Sequence, residues 1–100
     1  MKIKRIVKLT FQPKKVDEFL TIFADSKNKI RQMDGCNHLE LWRGTQDATI
    51  LFTYSYWDSE EHLNAYRHSE LFRATWAKTK VLFADKPQAW SVEHLDTADS

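Results

Sequence analysis

The clearest acid-base chemistry in the sequence is the pair His38 and Glu40. Residues two apart share one face of a strand. A carboxylate beside an imidazole holds the tautomer that a general base needs. A rim pair at the end of a sheet would show the same spacing. Tyr66 offers a phenol that can hydrogen-bond an enolate or quinol oxygen. Trp57 and Trp76 offer flat surfaces for a planar molecule, or plain core packing, and Thr53 and Ser55 add hydroxyls. His62 and His68 stand six apart, which is not a helical metal spacing. With no His-Glu-x-x-His motif and no paired carboxylates, no metal site is expected. Cys36 reads as structural, and His94 lies close to the C-terminal end.

Composition narrows the chemistry further. The chain has 100 residues, 42% of them hydrophobic and 13% aromatic, enough for one domain with a core. Only two glycines, Gly35 and Gly44, are present, too few for a phosphate loop or a dinucleotide fingerprint. One cysteine excludes an internal disulfide and a cysteine zinc site, and agrees with a reducing compartment. A net charge of +1 does not suggest a nucleic-acid or membrane binder. Lys2, Lys4, Arg5, Lys8, Lys14 and Lys15 all precede the first acid, Asp17. With no base-stacking aromatics among them, they read as guards of an edge strand. The first residues lack the apolar core of a signal peptide, and no run approaches the roughly 20 apolar residues of a membrane span. A cytoplasmic protein without nucleic-acid or membrane partners is the expectation.

Periodicity supplies the elements that position these side chains. Residues 2–11 alternate, with Ile3, Val7, Leu9 and Phe11 on one face and Arg5 interrupting it. Residues 14–33 read as an amphipathic helix through Val16, Phe19, Leu20, Phe23, Ile30 and Met33, ended by Asp34-Gly35. Residues 37–43 and 49–57 read as a hairpin across the turn at 44–47. Asp58 or Ser59 caps a short helix to about Arg67. Ser69 starts another, carrying Leu71, Phe72, Trp76, Val81, Leu82 and Phe83, and Lys86-Pro87 stops it. Residues 89–95 form a last strand and 96–100 a frayed tail, so the core of the single domain spans about 2–95.

The order β-α-β-β-α-β predicts an α+β, ferredoxin-like fold: a four-stranded antiparallel sheet with helices on one face. Ile50, Phe52, Tyr54 and Tyr56 then form an apolar-aromatic stripe on the other face, extended by Leu39 and Leu41 in a simple register. Such a stripe predicts a homodimer through the sheet. The opposite face of the same strand carries Thr53 and Ser55, too polar for a helix-sheet core, which predicts a pocket there. In that register His38, Glu40 and Trp42 look toward the helices.

Gly35-Cys36 after the first helix, Trp57 followed by Asp58-Ser59-Glu60-Glu61 and Leu63, Ser69 with Phe72, and the closing Lys86-Pro87 together resemble the antibiotic biosynthesis monooxygenase family. The resemblance covers roughly residues 3–95. It implies a dimeric α+β barrel and oxygenation of a quinol-like or small planar aromatic substrate with no cofactor. For that chemistry the residues read above are the candidates, His38 and Tyr66 as catalytic groups and Trp57, Ser55, Thr53, Glu40 and Trp76 around the substrate, with Trp57 matching an aromatic that lines the family's pocket. The chain departs from common family patterns at Tyr66, where many members have histidine, and at Ser55, where glutamate is common. Trp76 and Val7 stand where the haem-degrading branch has its axial histidine and an asparagine, so haem degradation is not implied. A non-oxygenase binding protein or isomerase, or a non-catalytic dimeric module, is the alternative on the same fold.

Overall fold

The computed structural model describes residues 2–99. Strand β1 (Ile3–Thr10) leads through a 3-10 turn at Pro13–Lys15 into helix α1 (Val16–Arg31). Strands β2 (Cys36–Arg43) and β3 (Ile50–Trp57) form the hairpin. Helices α2 (Glu60–Arg67) and α3 (Glu70–Lys80) follow, and β4 (Gln88–Val92) closes the sheet. The sheet order is β2-β3-β1-β4, antiparallel throughout, which is the ferredoxin-like arrangement.

Local chemistry sets each element. Helix α1 has Asp17 and Glu18 in its first turn and Lys29 and Arg31 in its last, the order that complements the helix dipole. Val16, Phe19, Ser26 and Ile30 fall on its buried face. Gly35 then turns the chain with φ 82°, a conformation that favours glycine. Ser59 and Ser69 cap α2 and α3, accepting from the backbone N–H of His62 and of Phe72.

Burial is split between two clusters on the helix side of the sheet. Leu9, Phe11, Val16, Phe19, Leu51 and Leu82 make one. Ile3, Cys36, Trp57 and Leu63 make the other, with Met33 and Tyr66 packed against it.

Three sequence expectations change. Lysines of β1 do not guard an edge, because β1 pairs with β3 on one side and β4 on the other. Lys4 instead lies on the outer face, its ammonium 4.7 Å from the centre of the Tyr56 ring. Helix α3 ends at Lys80 rather than running through Phe83. The backbone there is drawn into the sheet: Phe83 bridges Phe11, and Ala84 donates to the Thr10 carbonyl at 2.9 Å. Strand β4 stops at Val92 rather than residue 95, opposite Lys4 and one residue from the start of its partner β1 at Ile3. Residues 96–99 carry no helix or strand, and Ser100 lies outside the described residues.

The largest correction concerns which way β2 faces. His38, Glu40 and Trp42 stand opposite Tyr56, Tyr54 and Phe52, while Leu39 and Leu41 stand opposite Ser55 and Thr53. Leu39 and Leu41 therefore face the helices, and His38, Glu40 and Trp42 face outward. The turn decides this: Gly44 and Ile50 pair across it, so even-numbered residues meet even-numbered ones. A bulge between Cys36 and His38 then lets Cys36 point inward beside Trp57 although His38 points out.

Candidate functional site

A cavity of about 360 Å³ lies between the sheet and the helices. Its wall takes Leu9 and Phe19 from one buried cluster and Trp57 and Leu63 from the other, so it separates the two. The sheet contributes inward residues of all four strands in two adjacent rows: Leu39, Ser55 and Arg5 from β2, β3 and β1, and Thr53, Val7 and Ala89 from β3, β1 and β4. The helices contribute Phe23 and Ile30 from α1, Tyr66 from α2, and Phe72, Thr75 and Trp76 from α3.

The aromatic wall is ordered by its own contacts. The Trp57 and Tyr66 rings stack at 5.0 Å between centroids and 21° between planes. Tyr66 meets Phe72 edge-on at 5.2 Å, and Phe72 stacks on Trp76 at 5.7 Å. The Trp57 indole is 1% exposed, and its Nε1–H donates to Ser55 Oγ at 3.0 Å. Ser55 is thus a buried hydroxyl that satisfies a buried indole and fixes its tilt. Ser26 and Thr79 are also buried polar residues of the wall, and each donates back into its own helix, to Ile22 and Thr75 carbonyls at 2.8 Å.

Two electrostatic features stand out. Burial, with a smaller contribution from Cys36, pushes the Tyr66 phenol up to about 12. Tyr66 is therefore neutral at ordinary pH and can donate a hydrogen bond, but it is no base. Arg5 places a guanidinium in an otherwise apolar wall, and Arg67 at the end of α2 adds a second.

Of the residues singled out from sequence, Trp57, Ser55, Thr53, Tyr66 and Trp76 line this cavity. His38 and Glu40 do not. They sit on the opposite face of the sheet, hydrogen-bonded to each other, with the Trp42 indole donating to the second Glu40 oxygen at 2.9 Å. Trp42, then His38, hold the Glu40 carboxyl below its usual range. The predicted acid-base pair is real as a contact but is separated from the cavity by the sheet itself.

The other candidates have local roles. Cys36 is buried and its thiol is pushed up by that burial, which disfavours a nucleophilic thiolate. The His62 ring packs on Gly35, hydrogen-bonds Ser59 Oγ at 2.7 Å, and lies 3.7 Å from Asp34. His68 bonds the Asn64 carbonyl at 2.7 Å, at the break between α2 and α3. Sequence reasoning missed Arg5 and Arg67 as site residues. The signal for Arg5 was present: it is the one charge on the apolar face of β1.

The family model described as antibiotic biosynthesis monooxygenase matches residues 2–78. No curated protein matches. Among solved structures, a Caulobacter crescentus CB15 protein provisionally assigned as an antibiotic biosynthesis monooxygenase is 22% identical, with TM-score 0.88 over 95% of this chain and 91% of that one. A conserved protein of Methanosarcina mazei Go1 is 17% identical, with TM-score 0.88 over 92% and 91%. SnoaB, a cofactor-independent oxygenase from Streptomyces nogalater solved as a point mutant, is 12% identical, with TM-score 0.86 over 99% and 98%. These likenesses establish the fold.

Proposed function

The chain belongs to the antibiotic biosynthesis monooxygenase family, and on that footing we propose that it is a cofactor-independent monooxygenase acting on a small planar aromatic or quinol-like substrate. The observation that carries this reading is the cavity wall: a Trp57–Tyr66 stack fixed by Ser55, facing an apolar space of about 360 Å³. A planar substrate stacks against such rings, and the neutral Tyr66 phenol donates to its oxygen. Once that oxygen is deprotonated, the electron-rich anion passes an electron to dioxygen. At a benzylic methylene the balance is simple. The carbon gains one oxygen atom as a carbonyl, and the other leaves as water with the two hydrogens.

Among the described residues no carboxylate or imidazole lines the cavity. Proton removal then falls to solvent, and hydrogen bonding to the oxyanion supplies the enzyme's share of the work. The expected pH–rate profile rises with the ionisation of the substrate and shows no break from an enzyme base near neutrality. An oxygen electrode run over a panel of quinols and anthrones, with product mass spectrometry, tests the reading. Uptake no faster than without protein, for every compound, removes it. The missing base also favours a second reading, a binding protein for the same class of molecule. A ligand retained in native mass spectrometry with no oxygen inserted would select it.

We also infer that two copies pair through the outer sheet face. Ile50, Phe52, Tyr54 and Tyr56 of β3 are flanked there by Trp42, Ile6, Trp90 and Val92. Trp42, Trp90 and Val92 are each at least 40% exposed in the single chain, which leaves a broad apolar face for a second copy to cover. Glu40, the acid on that face, already accepts from both His38 and Trp42. Leu39 and Leu41 take no part, since they face the helices.

A further inference from the structure

Arg5 is the one charged residue on the helix-facing side of β1. It lies on β1, an inner strand of the sheet, on the helix-facing side between Ser55 of β3 and Ser91 of β4. Its neighbours along that face are Ile3 and Val7, and it lines the cavity with Val7 and Leu9. One of its N–H groups donates to Ser91 Oγ at 3.0 Å, which is an exposed neutral partner. Among the described residues no carboxylate pairs with Arg5 or with Arg67. Burial, and then the nearby Arg67 charge, lower the Arg5 pKa, so the two cations sense one another across the same space. Two guanidinium groups without a counter-charge, on the rim of a cavity that otherwise presents aromatic rings and hydroxyls, leave hydrogen-bond donors and positive charge free to receive an anion.

We propose that Arg5, assisted by Arg67, binds the carboxylate of an aromatic acid whose ring occupies the cavity. A carboxylate is preferred over a phenolate for two reasons. The planar guanidinium fork matches both carboxylate oxygens. A carboxylate is also ionised at neutral pH without help, whereas a phenolate needs the base that this wall lacks. The division of labour is then complete. Arg5 anchors the acid group, the Trp57–Tyr66 and Phe72–Trp76 stacks hold the ring, and Tyr66 is left for a ring oxygen. The inference takes the cavity to be the substrate site, as the proposed function does, but it concerns binding and not oxidation.

The test uses isothermal titration calorimetry of the intact protein with 2-naphthoate and with 2-naphthamide, its uncharged isostere, at neutral pH and low salt. Naphthoate is expected to bind about 10- to 100-fold more tightly, the range of a charge-assisted contact. Arg5→Met should abolish that preference, so that naphthoate and naphthamide bind alike, while Arg67→Gln, at an exposed position, should reduce it less and in a salt-dependent way. Equal binding of the two ligands by the unaltered protein, or no binding of naphthoate, overturns the proposal without recourse to any variant. So does an Arg5→Met protein that keeps the preference. Oxygen consumption plays no part in this readout. Naphthoate selectivity without turnover would leave the anion site standing and remove the oxygenase; turnover of neutral quinols without selectivity would do the reverse.

Discussion

Tyr66 shows how burial changes what a side chain can do. In sequence it is a phenol three residues after Leu63 and a candidate for proton chemistry. In the fold, burial and, less, the neighbouring Cys36 move its ionisation from 10.0 up to about 12. Its neutral form is favoured by folding, so the stability it contributes is complete below pH 10.0 and is lost progressively as pH rises toward about 12. A tyrosine absorbance titration should show one phenol ionising near that upper value, and Tyr66→Phe should remove it. The same substitution keeps the stack and loses the donor, so turnover should fall on the order of 10- to 100-fold with folding stability little changed. Gly35 makes the complementary point about the backbone. Its φ is 82°, and an added Cβ would sit 2.4 Å from the His62 ring. Gly35→Ala should therefore destabilise the protein by about 1–3 kcal/mol in chemical denaturation. Adding His62→Ala should recover only the part due to the ring, because the His62 Cβ would itself lie 2.5 Å from the new methyl, and it leaves the backbone strain.

At the scale of elements, the break between α2 and α3 does the positioning. Ser69 accepts from the Phe72 backbone N–H at 3.1 Å and donates to the Tyr66 carbonyl at 2.6 Å. One hydroxyl thus caps α3 and ties it to the end of α2, and the residues on either side, Tyr66 and Phe72, are cavity walls in edge-to-face contact. Ser69→Ala should cost about 1 kcal/mol in unfolding free energy, and it should weaken naphthoate binding where the same change at Ser59 does not. The sequence pattern announced Ser69 as the start of α3 and left Asp58 or Ser59 as the cap of α2, of which the structure selects Ser59. It did not announce the orientation of β2. Alternation says that Leu39 and Leu41 oppose His38, Glu40 and Trp42, and nothing more. Which set meets the helices depends on the register across the Gly44–Ile50 turn. A shift of one residue there would exchange every assignment on the strand.

For the whole molecule, the sheet divides the aromatic residues between two jobs. Trp57, Tyr66, Phe72 and Trp76 enclose the cavity on one side. Trp42, Tyr54, Tyr56 and Trp90 lie on the other, where Trp42 stacks near Tyr54 at 4.6 Å and Tyr54 meets Tyr56 edge-on at 5.1 Å. Sedimentation at micromolar concentration should give twice the mass of the chain, and Tyr54→Glu should shift it to one chain, because it replaces a ring of the joint by a carboxylate that pairing would have to strip of water. A stable monomer in the unaltered protein would refute the pairing. What the sequence determined by itself is what period and chemistry determine locally. It set the number and order of strands and helices, the start of α3 at Ser69, and the polar break at Thr53 and Ser55 that marked a cavity. Only the tertiary structure decided what depends on pairing between distant segments. Strand β1 proved central rather than an edge, His38 and Glu40 proved to lie across the sheet from the cavity, and Arg5 proved to face into it. Alternation gives each strand two faces but does not say which one is inside; hydrogen-bond register and the helices packed against the sheet make that choice.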